Sequence, residues 1–523
     1  MAFRCDLIIR DATVFDGTGA PRFRGDVAVE GDRIRAVGDL GAASGTTEVI
    51  ATGLALAPGF IDAHTHDDRA VLCGPACQHC KVSQGVTTVV VGNCGVSLAP
   101  LKLDRRPPPP LDLLGDESWF TIGSFAEYAE RLERRPTNVN TLAFCGHMSL
   151  RVEAMGGDVY RAANDREIAA MQARLAEALQ QGAAGFTTGL FYAPNAQAPT
   201  DEVIAVGEAL RAHGGIYMTH MRDEADEVLA SIRETLRIGR DIGRGAKDRD
   251  IGRGAKDRDS GRGAKDRDSG RETCGDRSTE VIISHHKCAM PENFGRSRDT
   301  LALIDSLAQD QPVAFDVYPY PAGSTVMMPE RLRQDVPVQI TWSVPHPEHA
   351  GRDLDDVARE WGMTRKAAAE KLLPAGAIYF QMDEADVRRI MAHPRSMIGS
   401  DGIPHDAVPH PRLWGTFPRV LGHYVRDVGL FSLETAVHKM TGRTAAVFGL
   451  EGRGTIRPGA FADLVLFEPA TVADRATYAN PTLTSLGIHR VWANGQETLN
   501  EAGLTGAAPG RFIHNPRGEG ARA

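Results

Sequence analysis

The sequence predicts an α/β protein: a parallel (β/α)8 TIM-like barrel with a small β-sandwich domain built from both chain termini. Three observations predict it. Between about Pro58 and Leu450, short apolar runs alternate with helical stretches, the pattern of parallel βα units. Both ends alternate short apolar runs with turn signals, the pattern of antiparallel strands. The central apolar runs also end, one after another, in histidine, cysteine or aspartate, and a barrel gathers its chemistry at such strand exits.

From Cys5 to Gly53 the runs Leu7-Ile8-Ile9, Ala12-Thr13-Val14-Phe15, Val27-Ala28-Val29 and Ile34-Arg35-Ala36-Val37 predict a small antiparallel sheet, with Glu30-Gly31-Asp32 as a turn. The far end answers with Leu464-Val465-Leu466-Phe467 and with Arg490-Val491-Trp492-Ala493 before the hairpin pair Asn494-Gly495. Residues 1–57 with 451–510 are therefore expected to form the small β domain, and 58–450 the barrel. Its expected strands are Thr87–Val91, Thr141–Phe144, Ala184–Thr187, Ile216–Thr219, Val281–Ser284 and Met397–Gly399. Helices are expected over Ile168–Gln181 and Asp223–Gly239. A doubly wound sheet would call for a glycine-rich phosphate loop after a strand, which the sequence lacks. Residues 241–271 repeat Asp-Ile-Gly-Arg-Gly-Ala-Lys-Asp-Arg with a period of nine and offer almost nothing to bury, so an unstructured charged insertion is expected there. Residues from about Thr325 to Ala377 are expected to form a lid-like insertion over the barrel mouth.

Of the 523 residues, 42% are hydrophobic and 24% charged, enough to build a large core. The net charge of -9, with both signs mixed throughout, argues against nucleic acid as a partner. Arg4, Asp6, Arg10 and Asp11 interrupt the N-terminal apolar pattern as no signal peptide would, and no segment reads as a membrane span, so a cytoplasmic location is expected. Eight cysteines in so long a chain fit a reducing compartment without disulfides.

His64 and His66 stand at i and i+2 after the run Pro58-Gly59-Phe60-Ile61-Asp62-Ala63, and on a strand such residues share a face and can chelate one cation. The next run ends in Gly92-Asn93-Cys94-Gly95, where Cys94 is either a small buried apolar residue or a thiolate ligand. Further exits carry His220, the run His285-His286-Lys287, and Asp401. Since strand neighbours point oppositely, only one of His285 and His286 can face a metal. His285 is the choice, because it brings Lys287 with it and leaves His286 on the wall.

These stations sit in longer matching text: Pro58 through His66, Gln84-Gly85-Val86-Thr87-Thr88, Gly92 through Gly95, Gly189-Leu190-Phe191-Tyr192, Thr219-His220-Met221-Arg222 and Ser284 through Lys287. Phe315-Asp316-Val317-Tyr318-Pro319-Tyr320, Ser400-Asp401-Gly402 and His410-Pro411-Arg412-Leu413-Trp414-Gly415 complete it. Over nearly the whole chain this resembles the amidohydrolase superfamily, and within it the N-acyl-D-amino-acid deacylases. The resemblance implies Zn2+, held tightly by Cys94, His220 and His285, with a second, weaker position at His64 and His66. It implies that Asp401 is both a ligand and the general base. Lys287, Tyr318, Ser324, Arg412 and Tyr192 are implied as substrate contacts, and their donors suit an α-carboxylate. The expected partner is thus a small N-acyl amino acid, while oligomeric state stays unread. Arg331 and Arg333 follow Ser324 as candidate receivers of an acidic substrate side chain, or as solvated arginines.

Three other readings compete. A cyclic amidohydrolase of the hydantoinase or dihydroorotase kind would place a carboxylated lysine on a middle strand, and Gly185-Phe186-Thr187-Thr188-Gly189-Leu190 has none. A barrel retained only as a binding module would usually have lost ligands. Cys73-x3-Cys77-x2-Cys80 has the spacing of a radical S-adenosylmethionine iron–sulfur motif, but that reading leaves His64, His66, His220, His285 and Asp401 unexplained.

Overall fold

The computed structural model describes residues 3–254 and 279–518. Strands buried on both faces lie at its centre. Val86–Val91 is buried at every position, as are Gly185–Gly189, Ile216–His220 and Val313–Val317. Such continuous burial is what parallel strands sandwiched between layers require. Two parallel sheets result. In one, Phe60–Asp62, Val86–Val91 and Asn140–Ala143 lie side by side. In the other, Cys145–Gly146 leads through Gly185–Gly189, Ile216–His220, Val281–Ile283 and Val313–Val317 to Ser396–Ile398. The last strand reaches back to the first: Ala63 N–H donates to Ile398 O (3.2 Å) and Asp401 N–H to His64 O (2.8 Å). Ile61, Val90, Leu142, Ile216, Met218, Ile282, Ala314 and Met397 form one cluster between the strands, joined by Ala445, Phe448 and Leu450.

Helices pack outside. Asp165–Gln180 opens on a capping box, Asn164 and Glu167 satisfying each other's backbone N–H groups. The helix Val228–Gly254 runs through the first copy of the nonapeptide into the second, so that copy is helical rather than unstructured, while the expectation for 255–271 lies outside the described residues.

The terminal strands form one mixed nine-stranded sheet rather than a purely antiparallel one. Arg4–Val14 pairs antiparallel with Phe23–Glu30 but parallel with Ser44–Ile50 and Ala55–Pro58. Leu464–Phe467 joins the two halves by pairing with Ala55–Pro58. Beyond it, Phe512–Ile513 leaves this sheet and pairs with Thr141–Leu142. The insertion expected at 325–377 is an antiparallel sheet of Gly323–Val326, Val338–Ser343 and Ala375–Tyr379 with the helices Leu354–Glu360 and Arg365–Leu372. Its own cluster includes Val338, Ile340, Leu354, Leu372 and Tyr379. Among the described residues no helix is long and apolar enough to cross a membrane.

Candidate active site

At one end of the parallel sheets the strand exits bring His64, His66, Cys94, His220, His285 and Asp401 into one buried region. Cys94 (φ 54°), His285 (φ 34°) and Asp401 (φ 49°) all take left-handed backbone. Non-glycine residues adopt that conformation rarely, and where they do it turns a side chain off the regular strand alternation.

Cys94 Sγ lies 3.3 Å from both His64 Nε2 and His285 Nε2. Burial pushes its thiol well above the ordinary cysteine value, so the site as it stands favours a protonated sulfur. Burial likewise lowers His64 and His285 to about 3, which keeps both imidazoles neutral and able to donate a lone pair. His64 Nδ1 is 3.3 Å from Asp316 Oδ2, a carboxylate contact of the kind that orients a ring at metal sites. His285 Nδ1 accepts from Lys287 Nζ at 2.6 Å and stands 3.1 Å from Glu224 Oε1, and both Nε2 atoms face Cys94. Asp316 also accepts the His285 backbone N–H (2.9 Å), so one carboxylate ties two exits together.

Asp401 Oδ1 stands 3.3 Å from His66 Nε2 and 3.5 Å from His64 Nε2, while Oδ2 pairs with Arg412 Nη1 at 2.8 Å. Burial opposes its charge, but Arg412 and the neighbouring histidines outweigh burial and hold the carboxyl well below the usual carboxylate range. His220 faces His285 at 4.3 Å between ring centroids and lies against Phe191 and Tyr192. Among the described residues neither of its nitrogens makes a hydrogen bond, although Nε2 is 3.3 Å from Glu224 Oε2.

Three sets of ligand atoms converge within 4.8 Å: His64, Cys94 and His285; His64, His66 and Asp401; and His220, Glu224 and His285. The structure therefore brings Cys94 together with His285 and His220 together with His285, but does not put Cys94 and His220 in one such set. Imidazole nitrogen, cysteine sulfur and carboxylate oxygen are zinc's ligand types, and the buried His220 nitrogens, which lack hydrogen bonds among the described residues, fit an ion at this place.

Beneath the exits Lys81, fully buried, binds Asp62 Oδ2 (2.9 Å) and Ser400 Oγ (2.8 Å) and stands 3.6 Å from Asp67. Asp62 Oδ1 in turn accepts the Ser400 N–H at 2.7 Å, linking the first and last exits.

A pocket of about 790 Å³ opens onto this region, and Lys287, Tyr318, Ser324, Tyr192, Arg331 and Asp401 are among the residues lining it. Lys287 Nζ donates to both Glu224 oxygens (2.7 and 2.8 Å) and lies 2.6 Å from His285 Nδ1. Tyr318 lies under two cations, Arg412 at 4.5 Å and Lys287 at 5.8 Å from its ring centre. Ser324 Oγ is buried without a partner among the described residues, and its carbonyl accepts from Arg412 Nη2 (2.9 Å). Tyr192 Oη shares a 2.9 Å hydrogen bond with Thr325. Arg331 stacks on Phe191 at the pocket, whereas Arg333 pairs outside it with Glu292 and Asp335. His286 points away and bonds Thr300 Oγ1 (2.9 Å). Cys73 and Cys80 turn to backbone carbonyls, and among the described residues no metal-type group includes them or Cys77.

Sequence reasoning missed Glu224 and Asp316. Glu224 had a signal, its position four residues after His220; Asp316 stood inside a recognised motif without a role.

The chain is similar over nearly its whole length to known proteins. A model of the amidohydrolase family matches residues 48–247 and 342–499. The D-aminoacylase of Alcaligenes xylosoxydans xylosoxydans is 49% identical over 508 residues, covering 97% of each chain. The N-acyl-D-aspartate deacylase of the same organism is 47% identical, covering 98% of this chain and 95% of its own. A D-aminoacylase structure determined to study its binuclear metal centre superposes with a TM-score of 0.89 at 48% identity, covering 98% of this chain and all of that one. The N-acyl-D-glutamate deacylase of Bordetella bronchiseptica, complexed with zinc and a phosphonate mimic of the tetrahedral intermediate, gives 0.87 at 43% identity with the same coverage. The chain belongs to the amidohydrolase family, in its D-aminoacylase branch.

Proposed function

We propose that the chain is a zinc-dependent N-acyl-D-amino-acid deacylase, hydrolysing the amide of an N-acyl-D-amino acid to a carboxylic acid and a free D-amino acid. The observation that carries this reading is Asp401, an ionised carboxylate facing His64 and His66 beside a pocket that Lys287, Tyr318 and Ser324 line. Near full-length likeness to D-aminoacylase and N-acyl-D-aspartate deacylase supports the substrate class and its configuration. Cys94, His220 and His285 would hold the tighter zinc, and His64 and His66 a second, weaker position within reach of Asp401. When bound, zinc supplies a lowered water pKa, from about 16 toward 7, and a polarised amide carbonyl.

The chain's own residues do the rest. Asp401 accepts the proton of the attacking water and passes it to the departing amine nitrogen, acting first as base and then as acid. Arg412 fixes the carboxylate's position through their ion pair. Lys287, Tyr318 and Ser324 offer cationic and hydroxyl donors to the substrate α-carboxylate from the pocket lining, Arg412 stands buried behind them on Asp401 and the Ser324 carbonyl, and Tyr192 lines the same pocket. The two parallel sheets are read as one (β/α)8 barrel over residues 58–450, a reading supported by the hydrogen bonds from Ala63 and Asp401 across the gap. Residues 1–57 and 451–510 are read as the small sandwich domain, supported by the cluster of Val27, Ile34, Leu464 and Trp492 between its strands.

Asp401→Asn tests the role of Asp401. Turnover of an N-acetyl-D-amino acid should fall by about 100-fold or more while the protein keeps its tightly bound zinc, because a general base contributes about 10²–10⁴. Unchanged turnover with zinc retained would remove Asp401 from the mechanism.

A further inference from the structure

The insertion carries a second set of metal-type ligands, on residues distinct from those of the active site. Val338–Ser343 leads into the turn His346-Pro347-Glu348-His349, and there His346 Nδ1 lies 3.2 Å and His349 Nε2 3.6 Å from the same atom, Glu348 Oε1. The three ligand atoms all lie within 4.8 Å of one another. Ligands about 2.0–2.1 Å from a tetrahedral ion stand about 3.4 Å apart, so both measured separations lie near one tetrahedral edge.

The ligands are held, not hanging free. Both rings pack on Trp361, each with its centroid 4.9 Å from the indole, which restricts their planes. The turn is pinned at its base: Gly351 N–H donates to Ile340 O (2.7 Å), Ile340 N–H to Arg352 O (2.9 Å), and the His346 N–H to Ser343 Oγ (3.2 Å). His349 is buried and His346 half-buried, while Glu348 is exposed, so the convergence point stays open to solvent on one side.

We propose that His346, Glu348 and His349 form a peripheral site for a borderline divalent transition-metal ion such as zinc or nickel. Two imidazoles and a carboxylate suit ions of this class, with the open side left for water. Arg352 modulates the site. Its Nη1 lies 3.1 Å from His349 Nδ1 and donates there, which leaves the proton of a neutral ring on Nε2. Metal binding at Nε2 moves that proton to Nδ1, so the guanidinium must give up this contact and keep its pairing with Glu360 (2.7 Å). Arg352 therefore weakens the site.

The test uses the full-length zinc-loaded protein and nickel as the probe. Ni2+ bound between the two rings sits beside Trp361 and should quench part of the tryptophan emission saturably, at one ion per chain, with no release of resident zinc. Trp361→Phe should abolish that quenching phase while leaving the extra nickel in place. The double variant His346→Gln, His349→Gln should bind nickel about 100-fold more weakly with deacylase turnover unchanged. His346→Gln alone, at a half-buried ring, gives the same direction if the double variant does not fold. Arg352→Met should tighten binding. Linear, unsaturable quenching, or equal nickel binding by the wild type and the His346→Gln variant, would overturn the site. Unchanged affinity in Arg352→Met would overturn the tautomer argument.

Discussion

Replacing Lys81 with methionine should cost far more than its distance from the pocket suggests. Lys81 is wholly buried, as is its partner Asp62, and burial works against the ammonium; yet Asp62 and Asp67 hold its pKa above the ordinary lysine value. At the 2.9 Å separation of Nζ and Asp62 Oδ2, an effective dielectric of about 20 gives an attraction of about 6 kcal/mol. Much of this offsets the desolvation of both ions, so the pair itself adds little net stability. Removing one member is different, because Asp62 is then left charged and buried, and the expected loss is about 3–5 kcal/mol. Asp62→Asn in the same chain should restore about half of it, since asparagine keeps an oxygen for the Ser400 N–H while shedding the charge. The assay is urea unfolding of the wild type, both single variants and the double, read as a cycle with unchanged slope. A loss below about 1 kcal/mol in Lys81→Met, or no coupling to Asp62, would refute the view that this pair braces the first and last exits.

Two further outcomes follow. Asp316→Asn should weaken zinc at the His64 and His66 position by about 10–100-fold in chelator competition, because the amide oxygen stays with the His285 N–H and the NH2 group then faces His64 Nδ1, which loses its acceptor; unaltered affinity would show that the carboxylate does not set the ring. Lys439 is buried, and burial lowers it from 10.5 to about 7. Between those two values the unfolded chain binds the proton and the folded chain does not, so this group makes stability rise with pH from about 7 to 10.5, with its cost fully present below about 7. Lys439→Met should flatten that rise in thermal unfolding measured across the range, and an unchanged slope would contradict the assignment.

The strand-exit stations were legible because each is local text: an apolar run followed at once by a ligand-type residue. What the sequence hid was non-local. Asp316 gains its role only by meeting His64, 252 residues away, and nothing in Phe315-Asp316-Val317 says so. Lys81 reads as an ordinary helix lysine until Asp62 and Ser400 close around it. Ser44–Ile50 escaped notice as a strand because only Val49 is buried, leaving no clean apolar alternation, and its parallel pairing, with that of Ala55–Pro58, makes the terminal sheet mixed. Phe512–Ile513 was not legible as a strand because it is too brief to show alternation, although it pairs with Thr141–Leu142. The first copy of the nonapeptide lacks a buried face of its own in the sequence, yet it continues a helix already begun at Val228, so no new nucleus is needed.

The most direct measurement is a hydrolysis panel of N-acetyl-D-amino acids and their L enantiomers with the zinc-loaded protein, repeated after zinc removal by a chelator. The account predicts turnover of D substrates, little of L substrates, and loss of activity with the metal that zinc restores. Turnover confined to the L series or to cyclic imides, or full activity without metal, would contradict it.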